Sequence, residues 1–377
     1  MFLLYGIVLG AWTSRIPAVK AQLRLSDTRL SIGLLAFAAG AIVGMQASGW
    51  LVDRLGAATV MLPAVLADAM ALVGPAYAAN LALLVLALLV FGVVHGVLNV
   101  AMNVNAVHVQ TALGRPIISS CHAAYSIGGF LGAAVGGLFA YEGSGPGATF
   151  LGVAVAVVGA ALAVAARVTR FVAPAQLEAE AAAPLTGVVF LGVLAFCCLV
   201  GEGAAADWSA VYLRDDLGTS AAWAAAAYAC FAITMTAGRL TGDRLAARWG
   251  PTALARAGGA LAAAGLGLSL LVGRPVAGVL GFGCLGAGLS CIAPQVFAAA
   301  GLRNPGREGT AIGRVASLGF LGFVVGPVVI GAASQWVGLG SALVIPAVLA
   351  GFVAVAASAL QVPARPVMLC PETTPRK

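Results

Sequence analysis

The sequence predicts an all-α membrane protein with twelve transmembrane helices, arranged as two pseudo-symmetric six-helix bundles. Of the 377 residues, 61% are hydrophobic and 9% are charged, whereas soluble domains carry roughly a quarter charged residues. Apolar stretches recur along the whole chain, each near the roughly 20 residues that cross about 30 Å of hydrocarbon. Short repeats also relate the two halves of the sequence. Together these observations argue against a soluble globular fold.

The predicted spans fall into two sets of six. The first set covers residues 2–20, 29–51, 59–79, 81–109, 118–141 and 147–168, and the second covers residues 185–212, 221–246, 252–272, 275–300, 310–335 and 339–361. An Ala-rich run with charged residues and prolines separates the sets, as is typical of a linker. We therefore expect an N-terminal bundle at 1–168, a cytoplasmic linker at 169–184, a C-terminal bundle at 185–361 and a cytoplasmic tail at 362–377.

The distribution of Lys and Arg predicts the orientation of the chain. If the N-terminus is inside, six basic residues fall on the outer side, namely Arg15, Lys20, Arg24, Arg29, Arg214 and Arg274. The inner side receives the other fourteen, namely Arg54, Arg115, Arg167, Arg170, Arg239, Arg244, Arg248, Arg256, Arg303, Arg307, Arg314, Arg365, Arg376 and Lys377. Because cytoplasmic connections are enriched in Lys and Arg, we expect both termini in the cytoplasm and the protein in a bacterial-type inner membrane. The same bias explains the net charge of +7, so no nucleic-acid partner is expected.

Internal repeats support the division into six and six. The stretches Ser26–Gly56 and Ser220–Gly250 have the same length, and both end on Arg-x-Gly. The run Gly129–Gly132 recurs letter for letter as Gly319–Gly322. The two offsets, 194 and 190 residues, nearly agree. Two like halves related by an axis along the membrane normal place a binding site between them near the midplane, open to each side in turn.

The run Gly49–Gly56 (GWLVDRLG) lies between the second and third predicted spans. It resembles the signature loop of the major facilitator superfamily, G-x-x-x-D-R-x-G. The resemblance implies the major facilitator fold and a gating role for Asp53 and Arg54, which brace helix ends in one conformation of that fold.

The corresponding loop of the second half departs from this pattern. Arg248 and Gly250 match, but Ala247 stands where the Asp would be. We expect a weaker latch there, with Arg248 in the gating set and Asp243, one turn earlier, as a possible substitute for the missing Asp.

Four further segments are similar to a narrower branch of the superfamily, namely Trp12–Pro17, Val100–Asn103, His122–Ser126 and Glu202–Trp208. This is the MosC-like branch, which is related to the fucose permease group. The resemblance implies a transporter and, by analogy, a sugar-like or polyol-like solute. The expected partners are a small-molecule solute, protons and the lipid bilayer, and the expected state is a monomer.

A polar stripe in the fourth span is the first candidate for solute binding. His95, Asn99 and Asn103 recur at a spacing of four, so they share one helix face. Polar groups inside a membrane face protein or a water-filled cavity. The resemblance places spans one, four, seven and ten around the site, and Gln295 joins the set from span ten. The alternative is that these side chains hold helices together, at about 0.6 kcal/mol each.

Two carboxylates in the seventh span are candidates for proton coupling. Glu202 lies deep in the span, and Asp207 lies near its outer mouth. A carboxylate at the bilayer centre costs roughly 2.5–3.5 kcal/mol unless it has a partner or a proton. We expect Glu202 to carry a proton and Asp207 to form an outer gating bridge with Arg15. The alternatives are a purely structural network, or Asp68 in the third span as the proton carrier.

Other classes of function find little support in the sequence. His, Cys and carboxylate residues show no metal-ligand spacing, and no glycine loop resembles a nucleotide cradle. We therefore expect no metal, no cofactor and no direct coupling to ATP. No nucleophile and base cluster at one depth, so an enzyme is not expected. The seven cysteines are interpreted as small apolar residues.

Glycines in the fifth span leave one alternative within transport. Gly128, Gly132 and Gly136, with Ala133 in place of a proline, approximate a pattern associated with proton antiporters. The other interpretation is close packing of small helix faces. The leading hypothesis is thus a proton-coupled carrier with two rocking halves, and the alternative is a proton-driven drug or metabolite efflux antiporter.

Overall fold

A computed structural model describes residues 1–168 and 187–361, except for the side chains of 166–168. The chain is helical throughout these ranges, and eleven segments are long and apolar enough to span a membrane. The predicted linker at 169–184 and the tail at 362–377 lie outside the described residues. We use "N-terminal half" for residues 1–168 and "C-terminal half" for residues 187–361.

The helices follow the predicted spans closely. The N-terminal half contains α1 (Phe2–Gln22), α2 (Asp27–Leu55), α3 (Ala57–Ala71), a 3₁₀ turn (Gly74–Tyr77), α4 (Leu81–Leu113), α5 (Ile118–Tyr141) and α6 (Pro146–Val168). The C-terminal half contains α7 (Val188–Val211), a π turn (Tyr212–Asp216), α8 (Ala221–Val272), α9 (Pro275–Leu289), α10 (Ile292–Arg303), α11 (Glu308–Val337), α12 (Leu339–Ala342), α13 (Val344–Ala356) and a 3₁₀ turn (Ala357–Leu360).

The number of membrane-capable segments, eleven, is one below the predicted twelve because α8 continues for 52 residues. A straight helix of that length would reach about 78 Å, more than twice the thickness of the hydrocarbon layer. At Gly250 the backbone leaves the helical region (φ 78°, ψ 160°). The N-terminal half has the same break at Gly56 (φ 83°, ψ 141°), between α2 and α3. Glycine tolerates such positive φ values, which explains why both repeats end on it.

Side-chain and glycine caps define several helix ends. The Ser26 side chain accepts a hydrogen bond from Arg29 N at the start of α2, and Asn80 accepts one from Leu83 N at the start of α4. Both are N-caps of the preferred type. Gly114 takes the left-handed conformation that ends α4.

Small residues let neighbouring helices approach closely. A Cβ at Gly44 of α2 would overlap the carbonyl oxygen of Val93 in α4, and a Cβ at Gly132 of α5 would overlap that of Ile7 in α1. Packing of this kind is typical of membrane helices. In α5, Gly128, Gly132 and Gly136 all lie in such close contacts with α1.

The two halves meet mainly through two pairs of helices, α2 with α11 and α5 with α8, with further contacts of α4 and α5 to α10 and α11. We call the end of the bundle where α2 ends and α11 begins the "closed end". The opposite end, where α5 and α11 finish, is called the "open end".

Candidate functional site

Asp53 forms the first contact between the two halves at the closed end. Its carboxylate accepts hydrogen bonds from Gly309 N (2.6 Å) and Thr310 N (3.0 Å) in the first turn of α11. The Thr310 hydroxyl donates a third. The first amides of a helix lack partners within the helix and carry a partial positive charge. We call this contact the first latch.

Asp243 of α8 makes the matching contact, the second latch, with the other half. Its carboxylate accepts from Ser119 N (2.9 Å) and Ser120 N (2.8 Å) at the start of α5. The aspartate and the two amide donors of this latch each lie 190 residues from their counterparts in the first latch. Asp243 is therefore the true equivalent of Asp53. The alignment that placed Ala247 there was wrong by one helical turn, because it followed the glycine rather than the carboxylate.

The two arginines expected to gate do not join the halves. Arg54 is exposed and lies 5.1 Å from the ring centre of Trp50 on its own helix, a cation–π contact. Arg248 is exposed and forms no ion pair within the described residues. Arg54 is the residue after Asp53, and Arg248 lies five residues after the aspartate of the second latch. Each arginine is therefore on a different helix face from the carboxylate of its latch.

The open end is not bridged by the pair expected there. Arg15 is 5% exposed and donates to Ser144 O within its own half. Asp207 is exposed, and in the described part of the chain no ion pair joins the halves at this end. The Arg15–Asp207 bridge is thus absent from this conformation.

An ion pair at the junction of the halves is the central feature of the site. Arg239 Nη2 of α8 lies 3.3 Å from Glu202 Oε1 of α7. Arg239 Nη1 also donates to Ser126 Oγ of α5, across the junction, at 2.8 Å. The side chains of Arg239 and Glu202 are 7% and 18% exposed. Arg239 therefore neutralises the carboxylate and ties it to the other half.

Sequence reasoning missed this role of Arg239. It was counted with the basic residues of the inner side, but the structure buries it between helices. The signal was present, because Arg239 lies inside the predicted span 221–246, and an ionisable residue within a span marks a functional site with a partner.

The polar stripe of α4 divides into one partly exposed residue and two buried ones. His95 is 2% exposed, with Nδ1 3.1 Å from Asp68 Oδ1, and its ring is stacked on Tyr5 at 3.8 Å. Asn103 is fully buried and donates to Asn99 O. Direct solute contact by His95 and Asn103 was therefore wrong for this conformation, since protein side chains cover both. Asn99 is partly exposed and donates to the Tyr5 hydroxyl.

Gln295 of α10 also lies away from open space. It is 7% exposed, and its amide nitrogen is 3.5 Å from Ser119 Oγ, beside the second latch. It belongs to the closure between the halves in this conformation rather than to a cavity wall. Among the described residues, no group of three or more His, Cys, Asp or Glu is placed to hold a metal.

Comparison with known proteins is consistent with this geometry. A family model described as Major Facilitator Superfamily matches residues 1–307 and 210–375. An MFS-type transporter of Yersinia pestis is 32% identical over 95% of this chain and 94% of its own. A transporter of Sinorhizobium fredii is 34% identical over 96% of each chain. The membrane protein MosC of Rhizobium meliloti is 29% identical over 91% of this chain and 84% of its own.

Solved structures share the fold. FucP, the Escherichia coli fucose:proton symporter, in an outward conformation, has a TM-score of 0.76 at 18% identity, covering 96% of this chain and 97% of its own. The proton:xylose symporter XylE has a TM-score of 0.75 at 14% identity, covering 94% and 92%. The predicted similarity to MosC is confirmed, and the likeness to FucP is one of fold. The chain is a multi-pass membrane protein that belongs to the Major Facilitator Superfamily.

Proposed function

We propose that this protein is a secondary active transporter of a small organic solute, working by alternating access and coupled to protons. The break at Gly250 divides α8 into two spans and gives twelve in all. The bundles at 1–168 and 185–361 rock about a site between them. Arg54, Arg115 and Arg244 lie at the closed end, so the positive-inside rule favours the cytoplasm on that side. The site therefore opens outward in an inner membrane.

The Glu202–Arg239 pair is the observation that carries the proposal. Arg239 is held by a carboxylate of its own half and by Ser126 of the other. A proton on Glu202 removes the charge that neutralises Arg239. A buried cation without a partner is costly, so Arg239 must then find another partner or more water. Protonation thus changes the contact at the junction of the halves.

A sugar-like or polyol-like solute suits the uncharged polar groups beside this pair. Asn99, Tyr125 and Ser126 are partly exposed and offer amide and hydroxyl groups that bind hydroxylated molecules. Two solved relatives are named as symporters of fucose and xylose with protons. Asp207, exposed further toward the open end, remains a second candidate for proton coupling.

Flux into proteoliposomes tests the proposal. With an imposed pH gradient, we expect radiolabelled fucose, xylose or sorbitol to accumulate as protons enter. Glu202→Gln should reduce this accumulation at least tenfold while leaving exchange at equal pH intact. Glu142→Gln, at an exposed position after α5, is the matched control and should change neither. Movement of amphipathic cations against the proton flow, without sugar flux, would support the efflux antiporter instead.

A further inference from the structure

A second pair of ionisable side chains is buried in the N-terminal half. Asp68 of α3 and His95 of α4 are 0% and 2% exposed. The Nδ1 atom of His95 lies 3.1 Å and 3.3 Å from the two carboxylate oxygens of Asp68. This arrangement is separate from Glu202 and Arg239, which lie in the other half.

Within the described residues, no other charged side chain forms an ion pair with Asp68 or His95. Within the described ranges, α2 has no ionisable residue between Arg29 and Asp53, and α6 has none over 146–165. From α1 the pair meets the Tyr5 ring. Along that helix the Met1 amino group lies about 6 Å from Tyr5 in one direction, and Arg15 lies about 15 Å away in the other. On α4 itself the next ionisable residue, His108, is about 20 Å away. From α5, Tyr125 packs against Tyr5, and His122 lies beside Asn103.

The charge balance of the pair indicates that it holds a proton. An ionised Asp68 beside a neutral His95 would leave one uncompensated negative charge inside the membrane, at a cost of roughly 2.5–3.5 kcal/mol. One added proton, on either side chain, makes the pair neutral overall. We propose that Asp68 and His95 together form a proton-binding site, distinct from Glu202. Its use in transport rests on the proposed function, whereas its occupancy by a proton does not.

The pair is connected to the space between the halves by two contacts. The His95 ring stacks on Tyr5 with an angle of 13° between the planes, and the Tyr5 hydroxyl accepts from Asn99 Nδ2 at 3.1 Å. The Oδ1 atom of Asn99 is buried without a hydrogen-bond partner in the described structure. Such an acceptor is costly to leave unpaired. The proton site therefore lies directly behind Asn99, the one partly exposed residue of the α4 stripe.

The chain has only three histidines, which allows a direct test. The full-length protein, labelled with ¹⁵N-histidine in lipid nanodiscs, is titrated from pH 5 to 9 by NMR. His108→Gln and His122→Gln variants assign the signals. Infrared spectra of the same samples detect a protonated carboxyl group and attribute it to Asp68 by its loss in Asp68→Asn.

The expected result near neutral pH is either a doubly protonated His95 or a protonated Asp68. Glu202→Gln should leave this signal unchanged. A singly protonated, neutral His95 beside an ionised Asp68 over the whole range would overturn the proposal. The wild-type spectra decide this even if Asp68→Asn fails to fold, and the decision is independent of any flux measurement.

Discussion

At the closed end each half presents a carboxylate to a helix N-terminus of the other half, whereas at the open end the described residues form no ion pair between the halves. Helix N-termini favour negative charge, so each aspartate makes a favourable contact between the halves at this end. The difference indicates that the conformation seen here is set mainly by the closed end. The two latches are similar in plan but unequal in strength, since Asp53 accepts a bond from the Thr310 hydroxyl in addition to two amides.

Breaking the first latch should have the largest effect on the equilibrium between closure and opening of the closed end. Asp53→Ala removes three charge-assisted hydrogen bonds across the junction, and we expect a shift of about 2–3 kcal/mol toward opening of the closed end. That corresponds to roughly 30- to 150-fold in the equilibrium. Spin labels at positions 141 and 336, exposed residues at the open ends of α5 and α11, should move closer together.

Asp27→Ala is the matched control for this measurement. Asp27 also belongs to α2, but it pairs with Lys20 inside the same half, and its side chain is 92% exposed. Exposed ion pairs contribute little, so the label distances should stay as in the wild type. An unchanged distance in Asp53→Ala would mean that the first latch does not hold the conformation.

The second latch should give the same change on a smaller scale. Asp243→Ala removes two backbone contacts, for which we expect about 1–2 kcal/mol, or roughly 5- to 30-fold in the same distance measurement. The double variant with Asp53→Ala should shift the balance further than either single change. Equal effects of the two single variants would refute the ranking of the latches.

The open end can be examined once the closed end has been weakened. In the Asp53→Ala background, Arg15 and Asp207 should approach each other and form the proposed bridge. A double-mutant cycle of Arg15→Ala and Asp207→Ala, with the same spin labels, should give a coupling of about 1 kcal/mol, near fivefold. The cycle should show no coupling in the wild-type background, where the two side chains are apart. Absence of coupling in both backgrounds would remove this gate from the mechanism.

The comparison of the two ends also explains which features the sequence could predict. Helix positions and the glycine breaks depend on local hydropathy and backbone freedom, so Gly56 and Gly250 were found from the repeat. The latches were harder, because Asp53 bonds to residues more than 250 positions away. The role of Arg239 could not be found by counting basic residues on each side of the membrane, because that count ignores how deep a residue lies within a span. The burial of His95 depended on the Tyr5 ring, which helical periodicity does not specify.

The smallest effect should come from a side-chain contact that adds to the latches at the closed end. His108 Nε2 of α4 lies 3.9 Å from Glu308 Oε1 of α11, with side chains 30% and 18% exposed. Polar contacts between partly exposed side chains contribute little. His108→Ala should therefore weaken closure by roughly 0.5 kcal/mol.

The spin labels at positions 141 and 336 report this change as a decrease of about twofold in the equilibrium constant that favours closure of this end. Asp27→Ala, which removes an exposed ion pair of the same half, is again the control and should leave the label distances unchanged. If His108→Ala also leaves them unchanged, His108 and Glu308 are neighbours without a role in closure, and the two aspartates contribute more to the closed end than this contact does.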